Sequence, residues 1–184
     1  MLTWVFVGVA ILLAVVILSH YNGLVAVRNH CDEAWANIDT ELKRRHDLIP
    51  NLVSTVKGFA AHEKNILEEI TRLRASCLLE DRPTQARAAK ESELSGKLGQ
   101  LMVQVEAYPN LTSSDNFLQL QEELTHTEDR IQAALRFYNG NVRENNNKVQ
   151  MFPSNLIAGM FSFPTRDYFE INEPGFRKKP VVEF

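Results

Sequence analysis

The side chains in this sequence that could ligate a metal or attack a substrate are five histidines, His20, His30, His46, His62 and His126, and two cysteines, Cys31 and Cys77. A structural zinc needs four converging ligands, and a catalytic zinc needs three with one position open. His62-Glu63 matches the start of the zinc-protease motif, but the position that should hold the second histidine is Ile66. His30 and Cys31 are adjacent, so a helix points them apart. Both cysteines fall on apolar stripes, where a thiol packs rather than reacts. The carboxylate neighbours Glu68-Glu69 and Glu122-Glu123 diverge on a helix and read as solvated faces. No Gly-rich loop follows a strand, and no G-x-S-x-G elbow is present. The sequence therefore predicts no metal, no cofactor and no catalysis of the chain's own. An enzyme keeps one route, the convergence of residues from separate helices.

One polar block is richer. Asp39 and Lys43 are i,i+4 partners in the favoured order, followed by Arg44, Arg45, His46 and Asp47. Arg45 shares the face of Leu42 and Ile49, so it can reach across to Glu63, the one charged member of the next apolar stripe. Arg45 and Glu63 are thus a candidate buried polar pair, and such a pair specifies helix register better than it adds stability. The alternative, that both extend to solvent along their stems, stays open.

The elements that must position these residues are helical. Leu24, Val27, Cys31, Ala34, Ile38 and Leu42 recur three and four apart. Asp47 and Pro50 predict the start of a second helix, with its stripe through Leu52, Val56, Phe59, Glu63, Ile66, Ile70, Leu73 and Cys77. A third stretch runs from about Thr84 to Tyr108, carrying Leu94, Leu98, Leu101 and Val105, and is weakened by Gly96 and Gly99. A fourth begins near Ser114 with Phe117, Leu120, Leu124, Ile131, Ala134, Tyr138, Val142 and Val149 on one face. No strand pattern occurs. The predicted fold is all-α: an antiparallel up-and-down four-helix bundle over residues 22–150, with Trp35, Ile38, Leu42, Leu124, Ile131 and Leu135 in its core.

The chain has 184 residues, 45% of them hydrophobic, with 20 basic against 23 acidic side chains and a formal net charge of −3. That balance argues against a strongly cationic nucleic-acid binder. The average hides an asymmetry, because Leu2 to Val27 contains no Asp, Glu, Lys or Arg. Leu2 to Leu18 alone would rise roughly 25 Å as a helix, close to the ~30 Å of a bilayer core. Residues 1–21 are therefore expected to be an uncleaved transmembrane anchor in contact with the lipid bilayer. Val5, Ile11, Leu12 and Val16 would face the chains, and Trp4 and Tyr21 the two headgroup levels. Arg28 on the inner flank leans the orientation toward an outside N-terminus and a cytoplasmic domain, with a periplasmic domain as the open alternative.

The last 34 residues hold four prolines and seven of the sixteen aromatic residues. Proline denies them a long helix, and so many aromatics argue against a solvated tail. Residues 151–184 are expected to be an extended tail that packs on the bundle. Its Phe152, Phe161, Phe163, Tyr168, Phe169 and Phe176 are candidate partner or oligomer contacts.

Tyr21 to Glu63 (YNGLVAVRNHCDEAWANIDTELKRRHDLIPNLVSTVKGFAAHE) resembles the signature of the LemA family. So do VEAYPNL (105–111), NFLQLQEELTHTEDRI (116–131), YNGNVRENNNK (138–148) and FPSNLIAGMFSF (152–163). Asn145 stands where that family commonly has Tyr, and Asp129 where Asn is usual. The resemblance implies a bacterial membrane protein with one N-terminal span, its short N-terminus outside, and a four-helix up-and-down domain. It also implies relatives in the magnetosome membrane and others encoded beside membrane metalloproteases or TPM-domain proteins. It brings no reaction with it. The combined expectation is a single-pass scaffold or adaptor of the bacterial inner membrane. It would form a homo-oligomer, organise unidentified membrane proteins and bind no nucleic acid. The alternative is an enzyme or regulatory subunit acting with a membrane metalloprotease in envelope stress or protein quality control.

Overall fold

A computed structural model describes residues 1–60 and 62–171. All regular structure among them is helical. α1 spans Leu2–Phe59, α2 Lys64–Cys77, α3 Gln85–Val105, α4 Pro109–Thr112, α5 Asp115–Gln150 and α6 Ser154–Met160. α1 contains the one described helix long and apolar enough to cross a membrane.

α1 corrects the expected break at Asp47. It runs through Pro50 for 58 residues and stops at Phe59, so the break before α2 falls between Phe59 and Lys64. A proline inside a helix leaves the carbonyl four residues back without its N–H donor. For Pro50 that carbonyl belongs to His46, and Arg74 Nε on α2 donates to it at 2.6 Å. A neighbouring helix thus supplies the bond that the proline withholds. The buried stripe then continues without interruption through Leu42, Arg45, Ile49, Leu52 and Val56.

The described residues form two compact units, residues 1–37 with 136–168, and residues 38–135 with 169–171. In the second unit Ile49, Leu52 and Val56 of α1 join Ile66, Ile70 and Leu73 of α2 in one core. Leu94, Leu101 and Val105 of α3, Leu111 of α4, and Phe117 and Leu124 of α5 complete it. Local signals set the ends of these helices. Thr84 caps α3 by accepting from the Arg87 N–H at 3.1 Å. The Ser114 hydroxyl accepts from Phe117 N–H at 3.5 Å ahead of α5.

In the first unit Leu24 of α1 is buried with Ile157 and Ala158 of α6, against Ile17, Tyr21, Val149 and Phe163. Here the expected extended tail is corrected, since residues 154–160 are helical. The Phe163 N–H donates to Ala158 O at 2.9 Å and Ser162 adopts φ 55°, a left-handed closure that ends α6 and turns the chain. Residues 163–171 beyond it carry no regular structure. Asn146 both accepts from Arg166 N–H (2.8 Å) and donates to Arg166 O (2.9 Å), and Asn145 donates to Pro164 O at 3.3 Å. Amide side chains on α5 thus pair the polar backbone of a segment that has no ladder of its own.

Candidate functional site

The second unit buries a chain of charges. Arg45, projecting from the apolar stripe of α1, lies at its centre and is 1% exposed. Its guanidinium donates to Glu91 Oε2 of α3 at 2.6 Å, to Glu128 Oε2 of α5 at 2.9 Å and to Ser95 Oγ at 2.6 Å. Glu91 Oε1 lies 3.8 Å from Arg87 Nε, and Arg87 donates to Asp39 Oδ1 at 2.7 Å. Asp39 meets Lys43 at 2.6 Å at the surface. Lys43, Asp39, Arg87, Glu91, Arg45 and Glu128 therefore alternate in sign, from solvent at Lys43 through the core at Glu91 and Arg45 to the partly exposed Glu128. Each buried charge has an opposite neighbour, which is the condition under which a protein interior tolerates it.

The expected pair of Arg45 with Glu63 is corrected. Arg45 takes its carboxylates from α3 and α5, while Glu63 sits in the α1–α2 turn and accepts the Tyr108 hydroxyl at 3.0 Å. Periodicity gave the face of Arg45 without identifying the helix opposite. The missed partners still carried a signal. Arg87 and Glu91 extend the Leu94–Leu98–Leu101–Val105 stripe backwards by steps of three and four. Glu128 fills the gap between Leu124 and Ile131.

His46 and Cys77 border this chain. His46 Nε2 lies 3.2 Å from Glu91 Oε2, and since an ionised carboxylate only accepts, Nε2 carries the proton in that contact. His46, Cys77 and Glu91 each place one possible ligand atom within 4.8 Å of the others, and all three are buried. The sequence reading did not foresee this convergence. Two features weigh against a cation there. Arg45 and Arg87 already neutralise Glu91. Burial, aided by the Glu91 charge, pushes the Cys77 thiol up to about 12, so the thiolate that a metal requires is costly.

Burial alone would raise the Glu91 carboxyl. Its bond to His46 and the adjacent Arg45 guanidinium outweigh that and hold it below its ordinary 4.5. Asp39 is likewise held below 3.8, with Lys43 and Arg87 overcoming its burial. Carboxyls depressed in the folded state contribute stability that is complete above their unfolded values and is lost as pH falls through the folded ones. The melting temperature should therefore stay flat down to about pH 5 and fall below it, and Glu91→Gln should shrink the acid-side loss. Thermal unfolding followed by circular dichroism across the acid range measures both; a loss confined to the alkaline side would contradict the assignment.

The remaining sequence candidates are dispersed. Trp4, Val5, Ile11, Leu12 and Val16 are exposed on the apolar part of α1. Tyr21 packs edge-on against Phe161 (4.8 Å) and Phe163 (5.7 Å). Phe169 is fully buried and Phe163 half-buried, whereas Phe152, Phe161 and Tyr168 keep accessible surface. Phe176 lies outside the described residues. Of the expected core, Ile38, Leu42, Leu124, Ile131 and Leu135 are buried, and Trp35 is half-buried with its ring 5.9 Å from that of Tyr138.

Among the described residues these features define a class: an all-helical protein with one membrane-length apolar segment, whose central charged side chains are buried and paired. The LemA family model matches residues 34–184, and the chain belongs to the LemA family. It is 27% identical to Protein LemA of Metamycoplasma hominis, over 83% of this chain and 69% of that protein. It is 24% identical to Magnetosome protein MamQ 2 of Paramagnetospirillum magneticum, over 86% of this chain and 68% of the relative. The corresponding figure for Magnetosome protein MamQ of Magnetospirillum gryphiswaldense is 23%, with the same coverage.

Proposed function

We propose that this protein is a single-pass, membrane-anchored helical scaffold. It assembles with copies of itself and organises or recruits other membrane proteins, without chemistry of its own. Residues 1–21 form the anchor, 22–150 an antiparallel up-and-down four-helix domain, and 151–184 the C-terminal tail. Basic residues from Arg28 onward favour a bacterial inner membrane with the domain on the cytoplasmic side. The observation that carries the reading is the fate of the polar groups that converge. Arg45, His46, Glu91 and Cys77 are each at most 1% exposed, so no substrate can touch them. Their role is then to fix which helices meet and in what register.

Apolar residues 2–18 and relatives that bear magnetosome names support the membrane setting. Anchoring also favours assembly, because copies confined to one membrane meet at raised effective concentration and weak contacts suffice. Of the tail aromatics, Tyr168, 45% exposed, is the one assigned to a neighbouring copy. The test is the mass of the intact full-length particle in mild detergent, measured with and without co-purified membrane proteins. A multiple of the protomer mass is expected. A monomer that brings nothing with it would overturn the scaffold reading.

A further inference from the structure

α6 is too short to stand alone, yet it is apolar on both faces. Ile157 and Ala158 are buried against Leu24 of α1, with Ile17 and Tyr21 packed on the same cluster. The opposite face is uncovered. Leu156 is 61% exposed and Met160 68%, and around them Met151 (61%), Phe152 (79%) and Phe161 (48%) are open as well. Five large apolar side chains in eleven residues exceed the scattering found on ordinary soluble surfaces. Apart from Ser154 and the exposed Asn155 at its start, α6 carries no polar side chain, and a helix so apolar belongs in a core or in lipid.

The position of this patch along α1 identifies what covers it. Ile17 lies inside the uncharged apolar segment, and Tyr21 lies at its end, so α6 docks where the span would leave the hydrocarbon. Residues 149–165 contain no Asp, Glu, Lys or Arg, just as residues 2–27 contain none. The first charged residue met on leaving either stretch is basic: Arg28 after the span, Lys148 before the patch and Arg166 after it. Two of these bases hold to the same neighbourhood. The Arg28 guanidinium lies 5.5 Å from the Phe163 ring centroid, and Lys148 Nζ donates to Gly23 O at 3.5 Å. An apolar ridge continuous with a span and rimmed by cations matches the boundary of an anionic bilayer, where rings and aliphatic chains enter and bases meet headgroups.

We propose that Met151–Phe161 is a second, interfacial membrane contact, in which the outer face of α6 lies in the headgroup–acyl boundary of the leaflet where α1 emerges. This goes beyond anchoring and does not depend on the oligomeric state. A lone span leaves the protein free to rotate about the membrane normal and to tilt. A second contact beside it restricts the tilt and sets which side of α1, where it emerges beyond Tyr21, faces the headgroups.

The test uses full-length protein in vesicles of phosphatidylcholine and phosphatidylglycerol. The variants Leu156→Cys, Met160→Cys and, as a water-exposed control on α5, Thr125→Cys each receive an environment-sensitive fluorophore. Cys31 and Cys77 are buried and leave the introduced thiol as the reactive one. Labels at 156 and 160 should be quenched by lipids brominated along the acyl chain and be several-fold less accessible to aqueous iodide than the label at 125. Iodide access equal to that of the control at both positions would overturn the proposal. So would shielding from both quenchers with self-quenching that rises with the protein-to-lipid ratio, since a second copy would then cover the ridge. The substituted positions are exposed, and unchanged helicity by circular dichroism confirms that each variant retains its fold.

Discussion

Arg45→Met should destabilise the folded protein by about 3–5 kcal/mol, the usual cost of removing one partner from a buried ion pair. The loss arises less from the missing attraction than from what stays behind. Glu91 has no exposed surface, so its carboxylate would remain desolvated without the guanidinium that now serves it, while Glu128, a quarter exposed, would lose its partner but keep some water. Removing the charges together should cost far less. A variant combining Arg45→Met with Glu91→Leu and Glu128→Leu should recover most of the stability, because apolar groups of similar volume often replace buried charges at no net cost. Urea unfolding in detergent, analysed as a double-mutant cycle between positions 45 and 91, reports the coupling directly. Additive effects at the two positions would dissolve the proposed chain of charges.

The second large effect is apolar. Phe117 is 1% exposed in the core shared by α1 to α5, and Phe117→Ala should cost about 3–5 kcal/mol through lost burial and the cavity left behind. Its neighbour Leu118 points outward and is half-exposed, so Leu118→Ala should change stability by no more than about 0.5 kcal/mol. The contrast between adjacent positions tests the register of α5. Equal losses at 117 and 118 would mean that the helix is rotated from the orientation described.

The regular parts of this architecture were legible in the sequence because helical burial writes itself as spacing. The stripe through Leu24, Cys31, Ile38 and Leu42, and the one through Ile131, Tyr138 and Val142, are buried where their period places them. What spacing cannot encode is the identity of the opposing surface. Arg45 was placed on the right face and given the wrong partner, since Glu63 is near in sequence while Glu91 and Glu128 lie 46 and 83 residues away. Pro50 misled for a different reason. Its local cost argued for a helix start, and that cost is met by Arg74, a residue 28 positions from the carbonyl it satisfies. The tail hid α6 because seven residues between a proline and a left-handed serine are too few to display a period. Its helicity comes from burying Ile157 and Ala158 against α1, which only the assembled chain can offer.

The bond from Arg74 to the His46 carbonyl also bears on the order in which the chain is made. Residue 46 leaves the ribosome well before residue 74, so α1 emerges with one carbonyl that none of its own amides can satisfy. Until α2 arrives, water must hold that oxygen, and a helix turn open to water frays more readily than its neighbours. The smallest nascent piece with this backbone gap closed is therefore the hairpin of α1 and α2. The backbone before Pro50 thus gains its missing bond only once α2 has been made, although it is synthesised before the helix end at Phe59.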